Sequence, residues 1–316
     1  MTPPAGPLGV SVGALSFRNP ILLAAGTAGY GRELEGVVDL ERIGGFVTKA
    51  VSRDPRQGAP QPRVAEFEGG MINAVGLANP GVAAVCEEYL PWLAAHHHET
   101  RRFANVVGFV EDEFADVVSR LDAALAANVG ALDGFELNVS CPNVKAGGME
   151  FGADPRSLAA VVSTSRAATK RPLFVKLSPT LADVGAAARI AVESGADGIT
   201  VVNTIPGLVI DLERGRPALG FGTGGVSGPA ILPVGVLATW KVRKAVNVPI
   251  IGVGGVTTGL DALQYIMAGA TLVGVGTATM RDPRQPERIV AQMEAWCAEH
   301  DVQSIERIRG KLEWPS

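Results

Sequence analysis

Cysteine is scarce in this chain. Cys86, Cys141 and Cys297 are three among 316 residues, too few and too scattered for a disulfide framework. No CxxC pair exists to hold zinc or an iron–sulfur cluster, so no metal site is expected, and unpaired cysteines fit a reducing cytoplasm. Charge is sparse too. Only 19% of residues are charged, the net charge is −4 and no Lys/Arg run occurs, which argues against nucleic acid as a partner. No charged-then-apolar leader opens the sequence. The one long uncharged stretch, residues 217–240, is broken by glycines and prolines, so it reads as a loop leading into a helix rather than a membrane span. The expectation is a soluble, cytoplasmic protein with no membrane partner. A dinucleotide fingerprint is also missing, because Gly26-Thr-Ala-Gly-Tyr-Gly31 has the wrong spacing.

What the chain has is a 47% hydrophobic composition and 39 glycines, enough for a large core with many close backbone approaches. Residues 8–20 suit a small hairpin. Strands are expected at 21–25, 45–50, 103–109, 134–140, 173–177, 198–203, 249–253 and 272–275. Helices are expected at 32–42, from Pro80 onward, and at 111–127, 154–169, 181–194, 229–246, 260–267 and 286–300. Three acids open the helix at 111, and Asp154 is placed as an N-cap before Pro155. Two excursions interrupt the series, one at 51–80 with short strands of its own and one after residue 203. Eight β-then-α units with near-continuous apolar strands predict an α/β fold, a (β/α)8 TIM barrel with a short N-terminal hairpin and strand-rich insertions. A doubly wound open sheet is the competing fold. One domain covers residues 1–316 in this reading.

In such a barrel the chemistry collects at the carboxyl ends of the strands. Those ends read Ala25-Gly26-Thr27, Thr48-Lys49, Asn105, Asn138 to Cys141, Lys176, Asn203-Thr204, Gly254-Gly255 and Gly276-Thr277. Amides at Asn73, Asn105, Asn138 and Asn203 suit a planar ligand with donors and acceptors. The glycine pairs after strands seven and eight suit a phosphate bound by backbone N–H groups, or merely relieve crowding in tight turns. Lys49 and Lys176 end apolar strands, where a lysine needs an anion: a ligand, or a neighbouring carboxylate. Two lysines facing a phosphate-anchored ring suit a flavin and a substrate carboxylate. Cys141 follows Asn138 and Ser140 and precedes Pro142, unlike Cys86 and Cys297 on apolar stripes. It is a candidate reactive base, against the common fate of a free cysteine as a small buried hydrophobe. His96-His97-His98 point in different directions and read as a solvated helix end.

These motifs together resemble dihydroorotate dehydrogenase, particularly the class 1B catalytic subunit, over nearly the whole chain. The resemblance rests on Asn138-Val-Ser-Cys-Pro-Asn-Val-Lys-Ala-Gly-Gly148, Asn73-Ala-Val-Gly-Leu-Ala-Asn-Pro-Gly81, Val175-Lys-Leu-Ser-Pro179, Val202-Asn-Thr204 and Gly224-Gly-Val-Ser-Gly-Pro-Ala230. It implies a barrel flavoprotein that oxidises dihydroorotate to orotate with FMN in pyrimidine biosynthesis. It further implies that Cys141 removes the C5 proton while hydride leaves C6 for flavin N5. Lys49, Asn73, Ala74, Val75, Gly76, Leu77, Asn138, Asn203 and Thr204 would hold the substrate. Ala25, Lys49, Ala50, Asn105, Asn138, Lys176, Val202 and Gly228 would contact FMN, with Gly254, Gly255, Gly276 and Thr277 at its phosphate. Ala25 stands where relatives often carry a serine. The glycine loop after Cys141 would close over the substrate. A homodimer and an electron-transfer partner subunit carrying FAD and a [2Fe-2S] cluster, passing electrons to NAD, are implied as well. The alternatives are a class 1A-like, fumarate-reducing enzyme, a related pyrimidine-reducing flavoprotein, a phosphate-binding barrel lyase or isomerase, and a silent flavin-binding module.

Overall fold

Short apolar runs alternating with helical stretches give, in the computed structural model, eight parallel strands that close on themselves. The structure describes residues 6–96, 99–140 and 150–315. The barrel strands are β1 (Ile21–Leu23), β2 (Gly45–Val47), β3 (Arg101–Val106), β4 (Gly134–Asn138), β5 (Leu173–Leu177), β6 (Gly198–Val201), β7 (Ile250–Val253) and β8 (Leu272–Val275). They run around the barrel in chain order, and β8 pairs with β1 to close it. Strands β5, β6 and β8 are buried at every position, as parallel strands covered on both faces must be.

Glycine at the start of several strands makes room for aromatic rings near the amino-terminal mouth. A β-carbon on Gly198 would lie 2.3 Å from Cε1 of Phe174, and one on Gly134 would lie 2.9 Å from Cε1 of Phe103. Phe103 and Phe174 meet edge to face at 5.5 Å. The N-terminal hairpin, Val10–Val12 with Leu15–Phe17, stacks Phe17 on Phe103 at 6.4 Å and so covers this end of the barrel. Burying each ring contributes roughly 1.5–3 kcal/mol. The opposite mouth holds the cavity described below.

Helices Glu111–Ala124, Pro155–Ala167, Val184–Glu193, Leu232–Ala245, Gly259–Ala268 and Gln285–Glu299 follow β3 to β8 in turn. Asp154 caps its helix as expected, accepting the Ser157 N–H at 2.8 Å. After β2 the helical segment is built from Gly81–Ala84, a π-helical turn at Val85–Tyr89, and Leu90–Ala95. The first unit departs from expectation. In place of a helix over 32–42 there are two 3-10 turns, Arg32–Leu34 and Leu40–Arg42. Gly36 takes φ +74° between them and Asp39 caps the second by accepting the Glu41 N–H, so no continuous helix can form.

The two excursions, far apart in sequence, join into one four-stranded antiparallel sheet. Its order is Ile205–Gly207, Gly224–Ser227, Gly70–Asn73, Val64–Phe67. Gly225 pairs with Asn73 and Ser227 with Met71. This sheet stands beside the carboxyl ends of the strands and walls the open mouth.

Candidate active site

A cavity of about 720 Å³ opens at the carboxyl ends of the strands, between the barrel and the excursion sheet. Its floor is polar. Asn105 on β3 donates from Nδ2 to Glu136 Oε1 on β4 at 2.8 Å, and Thr200 on β6 donates to Glu136 Oε2 at 2.8 Å. Nearer the mouth, Asn203 donates from Nδ2 to Asn138 Oδ1 at 3.2 Å and accepts the Thr204 N–H at 2.8 Å. Asn138 therefore keeps its own amide nitrogen for the cavity.

Two lysines border this space. Lys176 is buried on β5 and Lys49 is half-buried after β2. Every ion pair among the described residues uses an arginine, so neither lysine has a carboxylate partner there. A buried ammonium without a protein anion is a site for an anionic ligand. The backbone around Lys49 is fixed: its N–H donates to the Gly29 carbonyl at 2.6 Å, and the Tyr30 hydroxyl donates to the Ala50 carbonyl at 2.9 Å. Burial, reinforced by Tyr89 and Glu33, pushes the Tyr30 phenol well above its ordinary range, so it stays a donor.

At the other end of the cavity, Gly228, Gly254, Gly255, Gly276 and Thr277 meet. Gly254 and Gly255 take φ +126° and +75°, and a β-carbon on Gly255 would lie 2.5 Å from the Leu232 nitrogen. Bare backbone is thus required where helix starts converge, a donor-rich cradle suited to a phosphate. The Tyr265 hydroxyl holds the Gly254 carbonyl from behind at 2.7 Å, and Thr277 donates to Ser227 Oγ at 2.8 Å. The donor cradle, the two lysines without a carboxylate partner among the described residues and the polar floor fit a flavin that carries a phosphate.

Ala74, Val75, Gly76 and Leu77 form the wall contributed by the first excursion, with Asn73 tied to the Gly225 carbonyl at 3.3 Å. Every described residue expected at the site lines this one cavity: Ala25, Lys49, Ala50, Asn73 to Leu77, Asn105, Asn138, Lys176, Val202, Asn203, Thr204, Gly228, Gly254, Gly255, Gly276 and Thr277. Cys141 and the loop through residue 149 lie outside the described residues, as do His97 and His98. Ser140, just before them, lines the cavity with a buried hydroxyl that has no partner among the described residues. Sequence reasoning missed Arg56, whose guanidinium lies 4.1 Å over the Phe109 ring at the rim, and also Ser227, Phe221 and Met280. Arg56, Ser227 and Phe221 lie on the excursions and Met280 beyond β8, where no strand pattern points to the mouth.

The family model for dihydroorotate dehydrogenase matches residues 7–296. The chain is 48% identical over 306 residues to the dihydroorotate dehydrogenase B (NAD(+)) catalytic subunit of Trichlorobacter lovleyi, covering 97% of this chain and 98% of that one. It is 46% identical over 304 residues to the protein of the same name from Pelobacter propionicus, with 96% and 98% covered. A crystal structure of DHODH from Eimeria tenella in complex with ferulenol superposes with a TM-score of 0.79 at 24% identity, over 96% of this chain and 88% of that one, a likeness of fold. The chain belongs to the dihydroorotate dehydrogenase family.

Proposed function

We propose that this chain is a catalytic subunit that oxidises dihydroorotate to orotate in pyrimidine biosynthesis, with FMN as its bound flavin. The observation that carries the reading is the convergence, in one cavity, of a polar floor, two lysines without carboxylate partners and a glycine-built phosphate cradle. Gly228, Gly254, Gly255, Gly276 and Thr277 would hold the phosphate, with Ala25, Ala50, Asn105, Lys176 and Val202 along the ring. The bound flavin supplies the acceptor for the hydride that leaves C6 of the substrate. Asn73, Asn138, Asn203 and Thr204 present amide and hydroxyl groups to the substrate ring, and Lys49 offers a cation for its carboxylate. Cys141 would take the C5 proton as a thiolate, whose reference pKa near 8.5 suits a base for a carbon acid. Loss of that proton and of the hydride leaves the C5–C6 double bond of orotate. Closure of the loop after Cys141 would exclude water.

The relatives' name supports a partner subunit, through which electrons would reach NAD by FAD and a [2Fe-2S] cluster, and the working unit would be a homodimer of single-barrel chains. Among the described residues no helix is long and apolar enough to cross a membrane. The test is anaerobic addition of dihydroorotate to the purified yellow protein. Bleaching of the flavin absorbance is expected, followed by reoxidation with NAD only when the partner is present. A colourless protein, or a flavin that dihydroorotate leaves oxidised, would overturn the reading, and reoxidation by fumarate alone would reassign the acceptor.

A further inference from the structure

Glu136 is the only buried carboxylate among the described residues, with 2% of its surface exposed. It stands on β4 directly opposite Asn105 on β3, inside the barrel and beneath the cavity. Both of its oxygens are used: Oε1 accepts from Asn105 Nδ2 and Oε2 from the Thr200 hydroxyl, each at 2.8 Å. No arginine or lysine neutralises it among the described residues, so its place in the barrel is not that of half an ion pair.

A carboxylate is an acceptor-only group, and of the two ends of an amide only the nitrogen can face it. Chemistry therefore fixes which way the Asn105 side chain points. The other polar groups of Asn105 are occupied: its N–H donates to Thr48 Oγ1 at 3.3 Å, and its carbonyl accepts the Val51 N–H at 2.8 Å. Among the described residues Oδ1 and the second hydrogen of Nδ2 have no hydrogen-bond partner, so Oδ1 is the acceptor Asn105 has left for the cavity it lines. An oxidised flavin ring carries one ring N–H among several acceptors, so a fixed acceptor at this point selects the ring's orientation.

We propose that Glu136 is a positioning residue for the flavin: its carboxylate, steadied by Thr200, locks the Asn105 amide with Oδ1 toward the cavity as the acceptor for the ring N–H. The proposal rests on the flavin reading above. Replacing the carboxylate by a group that cannot accept would free the Asn105 amide to turn, presenting a donor to the ring as often as an acceptor. Glutamine can keep the lock, with Oε1 toward Asn105 and Nε2 toward the Thr200 oxygen, because a hydroxyl can also accept.

The test measures FMN dissociation constants by fluorescence quenching on apoprotein, so it does not depend on turnover. Asn105→Asp sets two carboxyl groups face to face and is expected to weaken FMN binding about tenfold or more. Adding Glu136→Gln is expected to restore binding to within about threefold of wild type, because the glutamine amide now donates to Asp while the second oxygen still accepts from the ring. Glu136→Gln alone is expected to stay within about threefold, whereas Glu136→Ala loses about tenfold. Should Asn105→Asp fail to fold, Glu136→Ala and Asn105→Ala carry the test through their double variant, which should bind no more weakly than Asn105→Ala alone. A double Asp/Gln variant as weak as Asn105→Asp, or additive losses in the alanine pair, would overturn the positioning role while leaving the flavin reading intact. Wild-type protein that fails to quench FMN would overturn both.

Discussion

Asn79 shows how much of the site depends on single side chains behind it. It is buried, and its amide is fully used: Oδ1 accepts the N–H groups of Ser52 at 3.2 Å and Gly81 at 2.9 Å, while Nδ2 donates to Ser52 Oγ and to the Leu77 carbonyl, both at 2.8 Å. Leu77, on the cavity wall, has φ +56°, a conformation that costs a non-glycine residue on the order of 1 kcal/mol or more and persists only when its surroundings enforce it. Asn79→Ala should therefore lower unfolding stability by about 2–4 kcal/mol, through lost bonds and orphaned buried donors. It should also raise KM for dihydroorotate more than it weakens flavin retention, since the wall it releases is the one proposed to hold the substrate. Denaturant titration and steady-state kinetics check both, and an unchanged KM would remove Asn79 from the substrate wall. Cys141→Ala should retain flavin yet abolish turnover near neutral pH, read as flavin content against rate. The sequence exposed the residues at strand ends, because strand periodicity locates those ends. The roles of Glu136 and Asn79 are contacts to other elements, which no local pattern records.

Helix Gly259–Ala268 and strands β6 to β8 illustrate the next scale. Tyr265 reaches from that helix across to β7, and the chain leaves glycine wherever its ring passes. A β-carbon on Gly252 would lie 2.3 Å from its Cδ1, and one on Gly235 would lie 1.8 Å from its hydroxyl. Two of the glycines that composition made conspicuous are thus explained by one tyrosine. Burial, then the nearby Asp261 charge, pushes the Tyr265 phenol far above its ordinary range. Because the folded state holds this proton more tightly, the stability it contributes is complete below the unfolded pKa of about 10. It is lost as pH rises from there toward the folded pKa. Tyr265→Phe should cost about 1 kcal/mol at pH 7 by removing the bond to the Gly254 carbonyl. Its unfolding free energy should then fall less steeply than wild type above pH 10, with Tyr30 still contributing the same sign. Parallel alkaline slopes in urea titrations of the two proteins would remove the phenol from this account. The helices after β3 to β8 were readable for a similar reason: an apolar face, and for one of them the Asp154 cap, sit in the local sequence. The segment at 32–42 misled because its apolar spacing resembles a helix, while Gly36 and the Asp39 cap divide it into two turns.

At the scale of the molecule, alternation of strands and helices made the barrel readable, but not the sheet that walls its mouth. Pairing of Gly70–Asn73 with Gly224–Ser227 is a contact across about half the chain, and periodicity carries no information about which excursion meets which. That sheet matters because the cavity is shared. Asn73, Ser227 and Gly228 come from the excursions, Lys49, Asn105 and Lys176 from or just beyond the ends of β2, β3 and β5, and Gly254 to Thr277 from the last two units. No subset of these segments keeps the cavity, so a flavin held there binds the folded chain and not the unfolded one. Mass action then sets its effect: free FMN at about a hundred times its Kd stabilises by about 2.7 kcal/mol. For a chain of this size that corresponds to a rise in Tm on the order of 5 °C over apoprotein. The rise should grow with the logarithm of FMN concentration and be much reduced in Gly255→Val. In that variant the side chain meets the Leu232 backbone and the φ of +75° penalises a branched residue. Scanning calorimetry of apoprotein with and without FMN decides it. A Tm that ignores FMN would mean that the cavity does not hold the flavin in the folded state, whereas equal rises in wild type and Gly255→Val would place the phosphate away from the glycine cradle.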